Sequence, residues 1–351
     1  MPERLSICVC TAFYPSTGGI ETLAEDLADH WTAVGHRVTI VTSVAASAGP
    51  PRRFDYEVLH RPSPVQFLQT VRRCDVLVHN NVSLKSLWPL ACVRRPLIAV
   101  HQSCYGREKK RETVRDRWKL HVAHRWAHNI SASYAVQRTI EADGAVIPNP
   151  FDDARFRLLD GRRDKDLIFV GRLVSEKGAD VLLRALTRLR SKRICPTLSI
   201  VGDGPERPLL EQMVRDADLR GQVSFCGWKN HDELPRFLNE HRIMVVPSAY
   251  NEPFGIVALE GAACGCVVVG SAGGGLPEAI GPCGVTFPNR DDGRLAETLE
   301  TLLEDPGALE QYRVGAAAHL AAHKAEVISA RYIEFFRQSL IRSGSRESCK
   351  F

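Results

Sequence analysis

The chain has 351 residues, 44% of them apolar, and a formal net charge of +5. That length exceeds one ordinary core and predicts two domains of roughly 150 to 170 residues, while no apolar run approaches the roughly 18 residues that cross a bilayer. The opening Met-Pro-Glu-Arg has no secretory pattern, and Cys8, Cys10 and Cys266, among eleven cysteines, sit in apolar runs with no Cys-x-x-Cys pair, so a cytoplasmic protein without structural zinc is expected.

Short β-rich runs alternate with helical patterns from the start. Strands are expected at 5–10, 38–42, 76–79 and 97–101, with a helix over 20–34. Gly18 and Gly19 fall between the first strand and that helix, where missing side chains let backbone N–H groups approach a phosphate or a sugar; a plain turn is the competing view. His101 ends the fourth strand, and Cys104 follows it in a loop. Residues 1–150 hold 19 Lys and Arg against 13 Asp and Glu, so the positive surplus lies there. It concentrates between Arg107 and Trp126, where Val114, Trp118, Val122 and Trp126 form one helical stripe among cations. Such a helix suits an anionic membrane surface, each cation contributing about 1 kcal/mol, but packing of the stripe on the first sheet is the favoured expectation for the tryptophans.

The Pro-, charge- and turn-rich stretch 148–164 reads as an interdomain hinge. Beyond it, strands are expected at 167–170, 198–201, 223–225, 243–246 and 267–269, with amphipathic helices between them. The class is therefore α/β, with two parallel, doubly wound, Rossmann-like halves. The tail from Ser343 is expected to be disordered.

Most chemistry-bearing residues follow these later strands, where ligands collect in open α/β sheets. Glu252 and Glu260 stand eight positions apart across Pro-Phe254-Gly255-Ile256-Val257. A helix starting near Phe254 would aim the unpaired N–H groups of Gly255, Ile256 and Val257 at a phosphate, with a carboxylate on either side to hold hydroxyl-bearing groups. Arg172 and Lys177 follow the strand 167–170 and would neutralise a departing diphosphate without a metal. Asp164-Lys-Asp166 and Asp216-Ala-Asp218 are poorly placed to hold a cation, and neither the dinucleotide Gly-x-Gly-x-x-Gly fingerprint nor a Walker sequence occurs.

The pattern Glu252 to Glu260, with Gly171-Arg172-Leu-Val-Ser-Glu-Lys177-Gly178, Val201-Gly202-Asp-Gly204-Pro, Gly273-Gly274-Gly275-Leu-Pro-Glu278 and Tyr14-Pro-Ser-Thr-Gly18-Gly19-Ile, resembles the retaining glycosyltransferases of family 4, over about 5–336. The resemblance implies the GT-B fold, two Rossmann-like domains facing a central cleft. Residues 1–160 would receive the acceptor, 161–325 would bind the donor, and a helix over about 326–342 would cross back to the first domain. It also implies metal-independent transfer of a hexose from a UDP- or GDP-sugar to an acceptor hydroxyl, in polysaccharide, glycolipid or natural-product biosynthesis, with no cofactor beyond the donor. Glu252 would hold the transferred sugar, Glu260 the ribose, the backbone at Gly255, Ile256 and Val257 the diphosphate, and Gly202, Gly227 and Ser248 would lie near the base. Phe254 counts among the donor contacts, and His101 matches a family histidine that contacts the donor sugar. The acceptor would be a sugar, a lipid-linked molecule or a small molecule, at a protein that is cytoplasmic or peripheral on the inner membrane face. A non-catalytic nucleotide-sugar sensor or scaffold, and a GT-B nucleotide-sugar epimerase, are the alternatives. Nucleic-acid binding is not expected.

Overall fold

The computed structural model describes residues 4–11, 19–46, 53–104, 113–230 and 232–348. The chain divides into two compact units. Unit 1 runs to Pro150 and takes up the chain again from Ala325, and unit 2 is Phe151–Lys324.

Unit 1 is built on seven parallel strands: β1 (Ser6–Thr11), β2 (Arg37–Thr42), β3 (Glu57–His60), β4 (Val76–Asn80), β5 (Leu97–His101), β6 (Ala127–Ser131) and β7 (Gly144–Val146), in the order β3-β2-β1-β4-β5-β6-β7. Its helices are α1 (Gly19–Ala33), α2 (Pro64–Arg73), α3 (Val114–Arg125) and α4 (Tyr134–Ile140). Both faces of the central strands are covered, so these strands are apolar at successive positions rather than alternating. Ile7 and Val9 face one core with Leu23, Leu27 and Trp31 of α1, while Cys8 and Cys10 face another with Phe67 and Val71 of α2. The buried cysteines thus act as small hydrophobes, as expected.

The strands β3, β6 and β7 do not stand out in the sequence. They are short, β3 and β6 carry polar residues, and Asn129 of β6 is tolerated in the core because its amide donates to Ala123 O (2.9 Å) and Asp143 O (3.0 Å). The disordered tail expected from Ser343 is corrected: α12 (Ala325–Ser348) continues through Ser343. It belongs to unit 1, where Tyr332 and Phe336 set their rings 5.9 and 5.4 Å from that of Trp31.

Unit 2 has six parallel strands: β8 (Lys165–Val170), β9 (Leu198–Val201), β10 (Val223–Gly227), β11 (His241–Val246), β12 (Val267–Ser271) and β13 (Gly284–Phe287), in the order β10-β9-β8-β11-β12-β13. They are joined by α5 (Ala179–Ser191), α6 (Arg207–Asp216), α7 (Glu233–Glu240), α8 (Ile256–Ala263), α9 (Leu276–Ile280), α10 (Asp292–Glu304) and α11 (Pro306–Ala322). Strand β11 starts two residues before its apolar run because His241 is buried with a partner, its Nε2 lying 2.8 Å from Ser199 Oγ. The strand order reverses at β8, which has β9 on one side and β11 on the other. Such a switch point leaves room for a ligand at the carboxyl ends of the two strands.

Candidate functional site

The loops leaving β8 and β11 run side by side at that switch point. Gly178, with φ 70°, permits it: a Cβ there would sit 1.9 Å from Pro247 O, so the backbones meet only without a side chain. Ala249 N then donates to Glu176 O at 2.8 Å, tying the loops together.

The contact sets Lys177 against Glu252. Lys177 Nζ lies 2.6 Å from Glu252 Oε1, which also accepts from Ser248 Oγ at 2.7 Å, and Tyr250 OH donates to Oε2 at 2.6 Å. Burial of Glu252, 6% exposed, opposes its ionisation. The Lys177 charge and the three hydrogen bonds outweigh that and hold its carboxyl below the ordinary range. Burial, and then the Glu252 charge, push the Tyr250 phenol well above its usual value. The ammonium of Lys177 also lies 5.4 Å from the Tyr250 ring centre. Arg172 is exposed, acts electrostatically on Tyr250, and makes no ion pair among the described residues.

Helix α8 starts at Ile256 rather than near Phe254. Gly255 at φ 104° is its left-handed cap, where a Cβ would come within 2.6 Å of Leu276 Cδ1. The expected start is corrected for that reason: a residue in this conformation cannot be the second of a helix. The first-turn N–H groups of Ile256 and Val257 have no acceptor within the helix, which leaves them to a ligand or solvent. Glu260 is half-buried further along α8. Phe254 is 2% exposed and stacks on His323 (5.9 Å between centres, 25° between planes), so its ring anchors the loop from inside.

Beside β8, Gly202 follows β9 and donates to Gly227 O at 2.9 Å, and Gly171 donates to Val201 O at 3.0 Å. Trp228, next to Gly227, is 67% exposed. On the other side, Gly275 N donates to Glu252 O at 2.7 Å and Gly274 bridges to Glu252. Asn289 accepts from Gly273 N (2.8 Å) and donates to Tyr250 O (3.2 Å). Tyr250 and this glycine clamp are the parts the sequence reading gave no role, although both lie inside the stretches it singled out. Only the fold shows that the Gly273–Gly275 turn reaches the Glu252 main chain.

In each Asp-x-Asp pair at least one carboxylate has a protein partner. Asp166 accepts from Thr197 N (3.0 Å) and Asp218 pairs with Arg190. Among the described residues no three His, Cys, Asp or Glu side chains gather as a metal site.

The remaining site candidates lie in unit 1. His101 ends β5 as expected, but its ring is turned into the unit at 1% exposure, with Nε2 3.0 Å from Asn129 Oδ1. Burial lowers its pKa to about 4 against the opposing pull of that hydrogen bond, so the ring is neutral at pH 7. Gly19 opens α1, while Gly18 and 107–112 lie outside the described residues. Cys104 packs half-buried against the cluster of Ala123, Val136 and Ile140. The packed tryptophan stripe is corrected: on α3 only Val122 of that stripe is buried, while Trp118 is 56% and Trp126, just after the helix, 62% exposed. The apolar positions of α3 do not share one face wide enough to cover a sheet.

Residues 150–319 match the family model of glycosyl transferases group 1. Unit 2 thus resembles the group 1 glycosyl transferases over most of its length. The chain is 39% identical over 176 residues, 48% of the chain and 42% of the relative, to a glycogen synthase of Mycobacterium tuberculosis. Over a longer stretch, 84% of the chain and 71% of the relative, the chain is 25% identical to the gpi3 subunit of a phosphatidylinositol N-acetylglucosaminyltransferase from Schizosaccharomyces pombe. The chain thus spans less than half the length of the first curated relatives it matches. Among solved structures, Alr3699/HepE of Anabaena in complex with UDP superimposes with a TM-score of 0.81 at 21% identity, over 95% of this chain and 100% of that one. The two parallel-sheet units have the GT-B fold. No helix among the described residues is long and apolar enough to cross a membrane.

Proposed function

We propose that the chain is a retaining, metal-independent glycosyltransferase of family 4, moving a hexose from a nucleoside diphosphate sugar to an acceptor hydroxyl. The carrying observation is the assembly at the β8/β11 switch point, where Lys177, Arg172 and the open first turn of α8 stand at one sheet edge beside the buried Glu252. Two cations and a helix N-terminus suit a diphosphate, and carboxylates suit sugar hydroxyls. Complexes of the structural neighbour with UDP support a nucleotide ligand; uridine and guanosine diphosphate are the two candidates.

The pairing of Lys177 with Glu252 adds a step to this reading. Without donor, the ammonium is held by the carboxylate; with donor, it turns toward the diphosphate while Ser248 and Tyr250 keep Glu252 in place for the sugar. As the glycosidic bond breaks, charge grows on the leaving phosphate, and Arg172 and Lys177 stabilise it more than they stabilise the ground state. The acceptor hydroxyl attacks on the face the phosphate leaves, and a phosphate oxygen takes its proton. Glu260 holds the ribose, the backbone at Ile256 and Val257 the diphosphate, and the base lies toward Gly202 and Gly227.

Purified protein is incubated with UDP- and GDP-sugars with no acceptor and with a chelator, and release of nucleoside diphosphate is followed. Slow hydrolysis, lowered about 10² to 10³-fold in Arg172→Ala and in Lys177→Ala, is expected. Wild-type turnover in both variants removes the leaving-group role, and tight binding without turnover points to a sensor.

A further inference from the structure

A second site lies on unit 1, at the edge of the sheet where its strands begin. The segment after β4 makes two 3₁₀ turns, Leu84–Ser86 and Trp88–Ala91, before entering β5. With the residues entering β6 and the end of α12 it lines an open pocket of about 680 Å³. This is within the range of about 300 to 1,000 Å³ found for small-molecule sites. Leu87, Leu90, Val93, Leu97 and Leu340 form apolar wall, and Arg94 and Arg95 also line it.

Trp126 connects this pocket to the outer surface. It lines the pocket, yet 62% of it is exposed, and Trp118 (56%), Val114 (72%) and Trp88 (41%) stand out from α3 and the second 3₁₀ turn. The charge is equally lopsided: the described residues of 84–126 include seven Lys and Arg and a single acid, Asp116. That acid is engaged in capping α3, accepting from Thr113 Oγ1 at 2.6 Å. Exposed tryptophans among cations are the composition of a membrane interface, where the rings settle at headgroup level and the cations meet anionic lipid. An open pocket with an apolar wall adds something a flat cationic surface lacks. A nucleic acid would engage the same cations and leave that pocket empty.

We infer that this edge of unit 1 docks on an anionic bilayer and that the pocket receives an acyl chain of one of its lipids. Trp126 and Trp118 lie among the headgroups, the seven cations provide long-range attraction, and the wall around Leu90 takes the chain. The inference does not rest on the donor site, since vesicle binding is read without any nucleotide.

The test is sedimentation with vesicles of phosphatidylcholine alone and with added phosphatidylglycerol, at low and high salt, and tryptophan quenching by lipids brominated on the acyl chain. The protein is expected to sediment with the anionic vesicles only, to be quenched by the brominated chains, and to keep part of its binding in high salt. Leu90→Asp is expected to weaken partitioning about tenfold or more, the scale of one lost apolar side chain, with an unchanged far-ultraviolet spectrum. Should Leu90→Asp lose the native spectrum, the quenching of the wild-type protein decides. Absence of vesicle binding overturns the inference, as does binding that is unquenched and vanishes in salt. Retention of a single-stranded RNA with no retention of vesicles overturns it in favour of nucleic acid.

Discussion

Lys177 and Glu252 are the residues on which the donor site depends, and their environment is asymmetric: Glu252 is almost fully buried, while the Lys177 side chain keeps 27% of its exposure. Removing the cation strands a carboxylate that cannot return to water. Lys177→Ala is therefore expected to lose about 2 kcal/mol in urea unfolding, below the roughly 3 to 5 kcal/mol of a fully buried pair, and adding Glu252→Gln to recover much of it. The pH dependence follows from the depressed carboxyl. Glu252 stabilises the fold above its unfolded value near 4.5, and this contribution disappears as pH falls through the lower folded value. The stability difference between wild type and Glu252→Gln, measured by urea midpoints, should shrink below pH 4.5. His79 and His101 give a separate signal at higher pH. Burial lowers both to about 4, so acidification from about 6.5 to about 4 protonates the unfolded chain first and destabilises unit 1. The His79 ring nitrogens have no hydrogen-bond partner among the described residues. His79→Leu is expected to raise stability by about 1 kcal/mol at pH 7 and to reduce the acid slope, since it removes a buried unsatisfied group.

Among the elements, the loops after β8 and β11 are held together by one backbone contact. Gly178→Ala would place a Cβ against Pro247 O at a left-handed φ, separating Lys177 from Glu252. The variant is expected to fold, with a lowered midpoint, and to lose at least about tenfold in nucleoside diphosphate affinity by calorimetry; undiminished affinity would show that the loop pairing does not serve the ligand. The elements also explain which parts of the fold were legible. The central residues of strands such as β1, β8 and β12 form continuous apolar runs because they are buried on both faces, and the sequence displays that directly. Strand β6 is not legible because its buried Asn129 and half-buried His128 find partners in the main chain of Ala123 and Asp143 and in Ser343 of α12, which no local pattern displays. The same limit hid the contacts of Glu252: its spacing from Glu260 is local, but its bonds to Lys177 and Gly275 are set by strand order. At α3, regular spacing of Trp118, Val122 and Trp126 did not signify burial, because the cations between them leave no apolar face to pack.

On the scale of the whole molecule, each unit has its own parallel sheet and core, and each reverses its strand order once. Unit 2 carries the family match and the charge constellation at its reversal, while unit 1 carries the positive surplus and the exposed tryptophans. The central claim is that the β8/β11 switch point binds a nucleoside diphosphate through Arg172 and Lys177. Ligand binding to the native state raises the melting temperature with the logarithm of ligand excess. The decisive measurement is the thermal shift of wild type, Arg172→Ala and Lys177→Ala across concentrations of UDP and GDP. One of the two nucleotides should raise the wild-type melting temperature progressively, with the effect strongly reduced in both variants. A shift that survives unchanged in both variants, or no shift with either nucleotide, would contradict the assignment.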